Sequence, residues 1–274
     1  MDSSEESPFR LTEIEKAKNL NQPGRNRFYG VRSNDLSPQN DALGQRSQPQ
    51  DDIDFKSIKP KNTSMKSLLI IVGILISQLA TAEDKFETTM LANIDALYNA
   101  GTIENLQNAA NKFERIANAE TDQWLPGYYA ALAYSWMASR EEDPTQKDAW
   151  LDQATKMLEN ALARTEPNVE TYVMQGFIYT LRLTVDPASR GQIYSQKSYA
   201  EYGKAVKMDS ENPRALFFMG NMEYGTAQFF KADTSGACEK MAQSLELFDK
   251  FTPESAIHPS WGLSFAQKTV ENCK

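Results

Sequence analysis

The chain has 274 residues, of which 41% are hydrophobic and 24% are charged, and this is the composition of an ordinary globular protein. Residues 83–274 contain 18 Lys and Arg against 27 Asp and Glu, which gives a net charge of −9. A nucleic-acid partner would need a basic face, so this acidity argues against that class of function.

Two stretches at the start of the chain differ from the globular part. Residues 1–64 have almost no apolar periodicity and are rich in Ser, Asn, Gln and Pro, so we predict that they are disordered or a spurious extension. Residues 65–82 have the layout of a secretory signal peptide, with Lys66 near the start, an apolar run and small residues at Ala80 and Ala82. Cleavage after Ala82 would leave residues 83–274 as the mature domain.

Two interpretations of the signal segment stay open. A signal peptide belongs at the start of a chain, so we expect Met65 to be the true initiator and residues 1–64 to be an over-extended gene prediction. The alternative is a real cytoplasmic tail followed by an uncleaved, single-pass membrane anchor. The apolar run is about half as long as the roughly twenty residues that a membrane span needs, which favours a periplasmic or secreted protein.

The rest of the chain has apolar residues at three- and four-residue spacing, which predicts helices. We expect these helices to form antiparallel pairs joined by short turns, with N-caps at Thr102, Asp143 and Asn212. A surface loop is expected at 184–195. The predicted helices cover 86–98, 103–119, 124–139, 146–165, 169–183, 195–208, 213–229, 237–251 and 261–270.

A pattern of large and small residues repeats along these helices. In the first helix of each pair it is carried by Tyr129, Leu132, Ala133 and Trp136, then by Tyr172, Gln175, Gly176 and Tyr179, then by Leu216, Met219 and Gly220. The second helices keep one spacing in Ala109-Phe113-Ile116, Ala154-Leu158-Ala161, Ser198-Tyr202-Ala205 and Ala237-Met241-Ser244. Small residues let two helix backbones approach, and a single hairpin cannot bury its apolar face alone, so the hairpins are expected to stack.

This pattern resembles the tetratricopeptide repeat (TPR) family. The resemblance implies an all-α fold, a right-handed α-solenoid of about four TPR-like hairpins with a C-terminal capping helix. The small residues at 133, 176 and 220 recur at intervals of 43 and 44 residues instead of the family's about 34, which we attribute to enlarged loops inside the hairpins. A second departure is Glu223, which stands where the family pattern has an aromatic residue.

The end of the chain carries a second resemblance. The stretch GTAQFF, the stretch HPSWG and the two cysteines together resemble a group of exported repeat proteins from Bacteroidota that has no established activity. This resemblance implies a periplasmic location.

The two cysteines, Cys238 and Cys273, both follow the signal segment. In an oxidising compartment an even count indicates a disulfide, here closing a loop of about 36 residues and contributing roughly 3 to 4 kcal/mol. Two buried free thiols are the alternative.

The TPR resemblance also implies a binding groove on the inner, concave face. The first helices of successive repeats line that face, which is suited to an extended peptide or a helix. Carried over to this chain, the lining residues are Ala130, Val173 and the groove candidates Tyr134, Met137, Phe177, Thr180, Arg214, Phe217, Asn221 and Tyr224. The alternative is that these side chains belong to the core, because apolar residues at helical spacing usually do.

Residue types that carry catalysis are sparse, so we expect no enzyme. The sole histidine, His258, precedes the last predicted helix, and a Ser-His-Asp site would have to use it. Adjacent carboxylates at Glu141, Glu142 and Asp143 are predicted to be a solvated loop, and neither a metal nor a cofactor is expected.

These observations favour a non-catalytic scaffold or adaptor that is exported to the periplasm and binds a protein or peptide, such as a component of the cell envelope. The alternative is a periplasmic carrier that binds a small or lipid-like ligand in the groove of the superhelix. A membrane partner is expected only if the signal segment is not cleaved.

Overall fold

The computed structural model describes residues 85–273, so the extension predicted at 1–64 and the signal peptide predicted at 65–82 lie outside the described residues. Within this range the regular secondary structure is helical, and no helix has both the length and the apolar character needed to cross a membrane. The helices are α1 (85–98), α2 (Ile103–Ala119), α3 (Leu125–Arg140), α4 (Pro144–Leu162), α5 (Val169–Val185), α6 (Pro187–Met208), α7 (Pro213–Phe230), α8 (Ser235–Lys250) and α9 (Leu263–Val270), followed by a 3-10 turn at Glu271–Cys273.

Helical hairpins are stacked side by side. Helix α3 pairs with α4, α5 with α6, and α7 with α8, while α2 packs on α3. The first helices of these hairpins also contact each other, α3 with α5 and α5 with α7. They therefore form an inner layer, and the all-α helical-repeat fold predicted from the sequence is confirmed. The final helix α9 is present and packs against α8.

Three predicted N-caps are confirmed by their hydrogen bonds. The side chain of Thr102 accepts from the backbone N–H of Asn105 at 3.1 Å, and Asp143 accepts from Gln146 at 2.7 Å. Asn212 accepts from the backbone N–H of Ala215 at 3.0 Å. Each cap satisfies a donor that the first helical turn leaves free and contributes about 1 kcal/mol to stability.

The loop predicted at 184–195 is wrong. Helix α5 continues to Val185, and α6 begins at Pro187, so a single residue joins them. That residue is Asp186, whose carboxylate accepts hydrogen bonds from the backbone N–H of Ser189 at 3.2 Å and from its hydroxyl at 2.6 Å. An Asp cap followed by Pro at the first helical position starts a helix at once.

The intervals of 43 and 44 residues between repeats are explained by long second helices. Our prediction that enlarged loops inside the hairpins lengthen the repeat is therefore wrong. Helix α4 has 19 residues and α6 has 22.

Glycines at the hairpin crossings allow close helix contact. A Cβ atom placed on Gly176 would lie 2.4 Å from Cε1 of Tyr202, in the paired helix α6. A Cβ on Gly220 would lie 2.9 Å from Cγ of Met241, in the paired helix α8. The helices of each pair therefore approach as closely as the small-residue pattern predicts.

Candidate functional site

The inner face of the stack is formed by α3, α5 and α7, and the groove predicted from the sequence lies there. In the structure this face is closed, because none of the predicted groove residues is more than 8% exposed. The buried set comprises Ala130, Val173, Tyr134, Met137, Phe177, Thr180, Arg214, Phe217, Asn221 and Tyr224. Their role in binding a separate partner stays a prediction, and it requires that the chain covering them moves away.

Residues 257–273, which we call the C-terminal segment, cover this face. The ring of Trp261 stands at the centre and meets one aromatic ring from each inner helix. The distances between ring centroids are 6.3 Å to Trp136 in α3, 5.9 Å to Phe177 in α5 and 5.7 Å to Phe218 in α7. One side chain of the segment therefore bridges all three hairpins.

Side chains of the inner face also hold the backbone of the C-terminal segment. Three of its carbonyl oxygens accept hydrogen bonds, that of Ile257 from the Tyr129 hydroxyl at 2.9 Å, that of Trp261 from Arg214 Nη1 at 3.2 Å, and that of Asn272 from the Tyr224 hydroxyl at 3.0 Å. The indole Nε1 of Trp261 donates to the Tyr128 hydroxyl at 2.9 Å. The inner face thus contacts both the side chains and the main chain of the segment.

A disulfide fastens the end of this segment to α8. Cys238 and Cys273 are joined at an S–S distance of 2.02 Å, so the predicted disulfide is present. In the same segment, Phe265 packs edge-on against Phe217 with a centroid distance of 5.3 Å. The segment is therefore attached by a covalent bond as well as by packing.

A buried ion pair supports the centre of the segment. Arg214 has no exposed side-chain surface, and its Nε and Nη2 donate to the Glu170 carboxylate at 2.8 and 2.5 Å. Asn212 Nδ2 donates to the same carboxylate at 2.8 Å. Burial alone would lower the pKa of the Arg214 guanidinium, but the charge and hydrogen bonds of Glu170 raise that pKa above its ordinary value. The cation is therefore permanent, and it links α5 and α7 to the Trp261 carbonyl.

Two of the predicted groove residues point into the hairpins instead of towards the C-terminal segment. The Tyr134 hydroxyl donates to Glu114 Oε1 at 2.6 Å, and its ring stacks on Trp150 at a centroid distance of 6.0 Å. Burial and the bond to Glu114 raise the pKa of Tyr134 to about 12. The Thr180 hydroxyl is hydrogen-bonded to the Tyr202 hydroxyl at 2.9 Å. Tyr134 therefore joins α3 to α2 and α4, and Thr180 joins α5 to α6.

The sole histidine is held in the connection before α9. Nδ1 of His258 is hydrogen-bonded to the Ser255 hydroxyl at 2.8 Å, and Nε2 lies 3.2 Å from a carboxylate oxygen of Glu254. Its ring lies against Trp124 with a centroid distance of 6.0 Å. Within residues 85–273, no group of three or more His, Cys, Asp or Glu side chains is placed to hold a metal ion.

An open cleft of about 340 Å³ lies between α6, α7 and α8. We call it the aromatic cleft, and its walls include Tyr199, Glu223, Thr226, Phe230, Asp233 and Gly236. Phe230 is 71% exposed and packs edge-on against the exposed Phe229, with ring centroids 5.0 Å apart. Since most large apolar side chains of a folded domain are buried, two exposed aromatic neighbours beside a cleft indicate a binding surface.

The polar wall of the aromatic cleft is fixed by internal bonds. The Tyr199 hydroxyl donates to the Thr226 hydroxyl at 2.8 Å, and burial raises the pKa of Tyr199. Glu223 is ion-paired with Lys240 of α8. The phenol therefore stays protonated at neutral pH, and the carboxylate already has a cationic partner.

The sequence contains a signal for this cleft that our prediction did not use. Phe229 and Phe230 are consecutive at the end of a helix, and consecutive helical residues point about 100° apart. Lys231 then ends the helix with a left-handed backbone, at φ 55°. The helix end is the informative part of this signal, since the consecutive Phe217 and Phe218 earlier in α7 are both buried.

Comparison with known proteins relates the chain to a solved structure. No family model matches the chain, and no curated protein matches it, so membership of the TPR family stays a prediction. Among solved structures, the chain is similar to the HusA haemophore from Porphyromonas gingivalis, with 26% sequence identity and a TM-score of 0.62. The similarity covers 69% of this chain and 92% of that chain.

Proposed function

We propose that this protein is an exported, non-catalytic carrier that binds haem or a haem-like planar ligand. The observation that carries the proposal is the similarity to a haemophore over 92% of that protein. Export is supported by the signal segment predicted at 65–82 and by the Cys238–Cys273 disulfide, because disulfides persist in oxidising compartments.

The aromatic cleft is the binding site that we propose. A planar apolar ring gains affinity by stacking on aromatic side chains and by removing their surface from water. Phe230 offers most of its ring to such a ligand, and Phe229 supports it from the side. The inner face of the stack is already filled by the C-terminal segment, so it offers no comparable space in this conformation.

The size of the Phe230 contribution follows from its exposure. Full burial of a Phe side chain is worth about 1.5 to 3 kcal/mol. Because 71% of Phe230 is exposed, a ligand that covers the ring would gain about 1 to 2 kcal/mol from it. Loss of that contact would weaken binding by about 5- to 30-fold.

Charge in the cleft sets the orientation of the ligand. Haem carries carboxylate groups on one edge of an otherwise apolar ring. Hydrogen bonds from Ser235 lower the pKa of Asp233, so Asp233 is ionised and repels a carboxylate placed at the cleft wall. We therefore expect the apolar edge of the ligand to enter the cleft and its carboxylates to face solvent.

The scaffold interpretation has less support than the carrier. It relies on an open groove on the inner face, and the residues predicted to line that groove are buried. A separate peptide would have to displace the C-terminal segment together with its hydrogen bonds and its disulfide. The carrier proposal needs no such rearrangement.

Haemin titration of purified protein, followed by absorbance and by quenching of tryptophan fluorescence, tests the proposal. We expect Phe230→Ala to raise the Kd about 5- to 30-fold, and Phe229→Ala to raise it by less, because more of Phe229 is already buried. Leu91→Ala is the matched control, since Leu91 is also exposed but lies on α1, away from the cleft.

The two parts of the proposal fail in different ways. A wild-type protein that does not bind haemin would reject the carrier function. Wild-type binding that both Phe variants retain in full would reject the aromatic cleft as the site and leave the function standing.

A further inference from the structure

We infer that the inner face of α3, α5 and α7 is a peptide-recognition groove that the chain's own C-terminal segment occupies. When the Cys238–Cys273 bridge is absent, the same groove accepts the C-terminal segment of a second copy of the chain. The partner is thus another molecule of this protein, bound by exchange of residues 257–273. This inference is independent of the haem proposal, since it concerns a different face and a different ligand.

The contacts of the segment are those of a bound peptide. Ile257, Trp261 and Phe265 are spaced four residues apart, and each is fixed by the inner face, Ile257 through its carbonyl and the other two through their rings. The groove also holds the main chain, because carbonyl oxygens along the segment accept from side chains of α3 and α7. Pockets for spaced side chains combined with main-chain hydrogen bonds are the means by which grooves recognise peptides.

The connection to the segment is suited to exchange. Helix α8 ends at Lys250, and residues 251–256 then run without regular helix to Ile257. Thr252 and residues 254–256 are exposed, and the main contact of the connection is the Phe251 ring, whose centroid lies 4.6 Å from Cζ of Arg214. Apart from that ring, the connection has few contacts to lose if the chain crosses to another molecule. In an exchanged dimer the groove contacts of each segment would be the same as those within one chain, which is why exchange of an element costs little.

The disulfide is the feature that keeps the segment in its own chain. Cys238 lies in α8, on the body of the repeat, while Cys273 lies at the far end of the segment. A bridge inside one chain closes a loop around the docked segment and prevents exchange. Without the bridge, packing and hydrogen bonds hold the segment, and these contacts are the same for the segment of either copy.

Single-cysteine variants test exchange directly. Cys238→Ser keeps only the cysteine of the segment, and Cys273→Ser keeps only the cysteine of α8. The two variants are unfolded together at high protein concentration, refolded, and treated with diamide, which takes two electrons and two protons from a pair of thiols to form a disulfide. An exchanged dimer places Cys273 of one chain beside Cys238 of the other, so we expect a disulfide-linked heterodimer on a non-reducing gel, identified by mass.

Controls separate exchange from random oxidation. Each variant treated alone sets the background. Trp261→Ala in the Cys238→Ser chain removes the central contact of the donated segment and is expected to lower the heterodimer yield about tenfold or more. Ser264→Ala, at an exposed position of α9, is the matched control and is expected to leave the yield unchanged.

Two results would overturn the inference. One is a heterodimer yield no higher than the background of the single variants. The other is loss of the native circular dichroism spectrum in either single-cysteine variant, because exchange requires a groove that folds without the bridge.

Discussion

Glu170→Gln tests whether the buried charge of Arg214 depends on its partner. The substitution keeps the size of the side chain and removes its negative charge. Arg214 has no exposed side-chain surface and the Glu170 side chain is 12% exposed, so solvent cannot replace the lost charge. Removal of one member of a buried ion pair typically costs about 3 to 5 kcal/mol, because the other charge is left without compensation.

This cost corresponds to a large change in melting temperature. About 190 folded residues, at about 2.1 cal/mol/K each, give an unfolding entropy near 0.4 kcal/mol/K. A loss of about 3 to 5 kcal/mol therefore lowers the Tm by about 8 to 12 °C.

Urea denaturation followed by far-ultraviolet circular dichroism measures the effect without adding salt. Glu246→Gln, at an exposed position of α8, is the control and is expected to change stability by less than about 0.5 kcal/mol. Arg214→Met combined with Glu170→Gln removes both charges, and we expect the pair to cost less than the sum of the single variants. A cost below about 1 kcal/mol for Glu170→Gln would refute the reasoning, since the buried cation would then not need this carboxylate.

Three further predictions concern single side chains. Gly262 has φ 111°, and a Cβ there would lie 3.1 Å from Phe248 Cζ, so Gly262→Ala should cost about 1 to 3 kcal/mol in urea unfolding. The Arg190 hydrogen bond, aided by Arg182, lowers the pKa of the Asp148 carboxyl below the ordinary 3.8. The stability that this interaction adds to the folded protein is therefore present above pH 3.8 and is lost as the pH falls through the lower pKa of the folded state. The Tm difference between wild type and Asp148→Asn should therefore be constant above about pH 5 and shrink in acid, and a difference that persists in acid would contradict this. Tyr199→Phe should change haemin affinity by less than about threefold, because a phenol with a raised pKa that donates to Thr226 is a poor iron ligand, and a much larger loss would show that the hydroxyl contacts the ligand.

Local features of the fold were predictable from the sequence. The cap residues Thr102, Asp143 and Asn212 each accept a hydrogen bond from a residue three positions later, so the local sequence is sufficient to predict them. Gly176 and Gly220 were predictable as close-contact positions because a helix crossing without room for a side chain needs a small residue. The prediction of a loop at 184–195 was wrong because the capping rule was not applied to Asp186 and Pro187. An Asp cap followed by Pro is itself a helix start.

The state of the inner face depends on contacts that are distant in sequence. Trp261 packs on rings from three separate hairpins, and no periodicity near residue 261 reports those partners. The family pattern identified the helices that line the groove but gave no information about what fills it. Burial of the predicted groove residues is therefore a consequence of tertiary structure.

The aromatic cleft was missed for a different reason. Phe230 lines the cleft and Phe229 packs beside it, but the prediction ended the helix at Phe229 and placed Phe230 in the following loop. Exposure decides their role, and exposure follows from where α7 ends, at Phe230, and where α8 begins, at Ser235.

Titration of the wild-type protein with haemin tests the central claim most directly. The carrier account predicts a saturable change in the haemin absorbance spectrum with one ligand per chain, reversed when an excess of a competing haem-binding protein is added. A spectrum that changes only in proportion to added haemin, without saturation, would contradict the claim that this protein is a haem carrier.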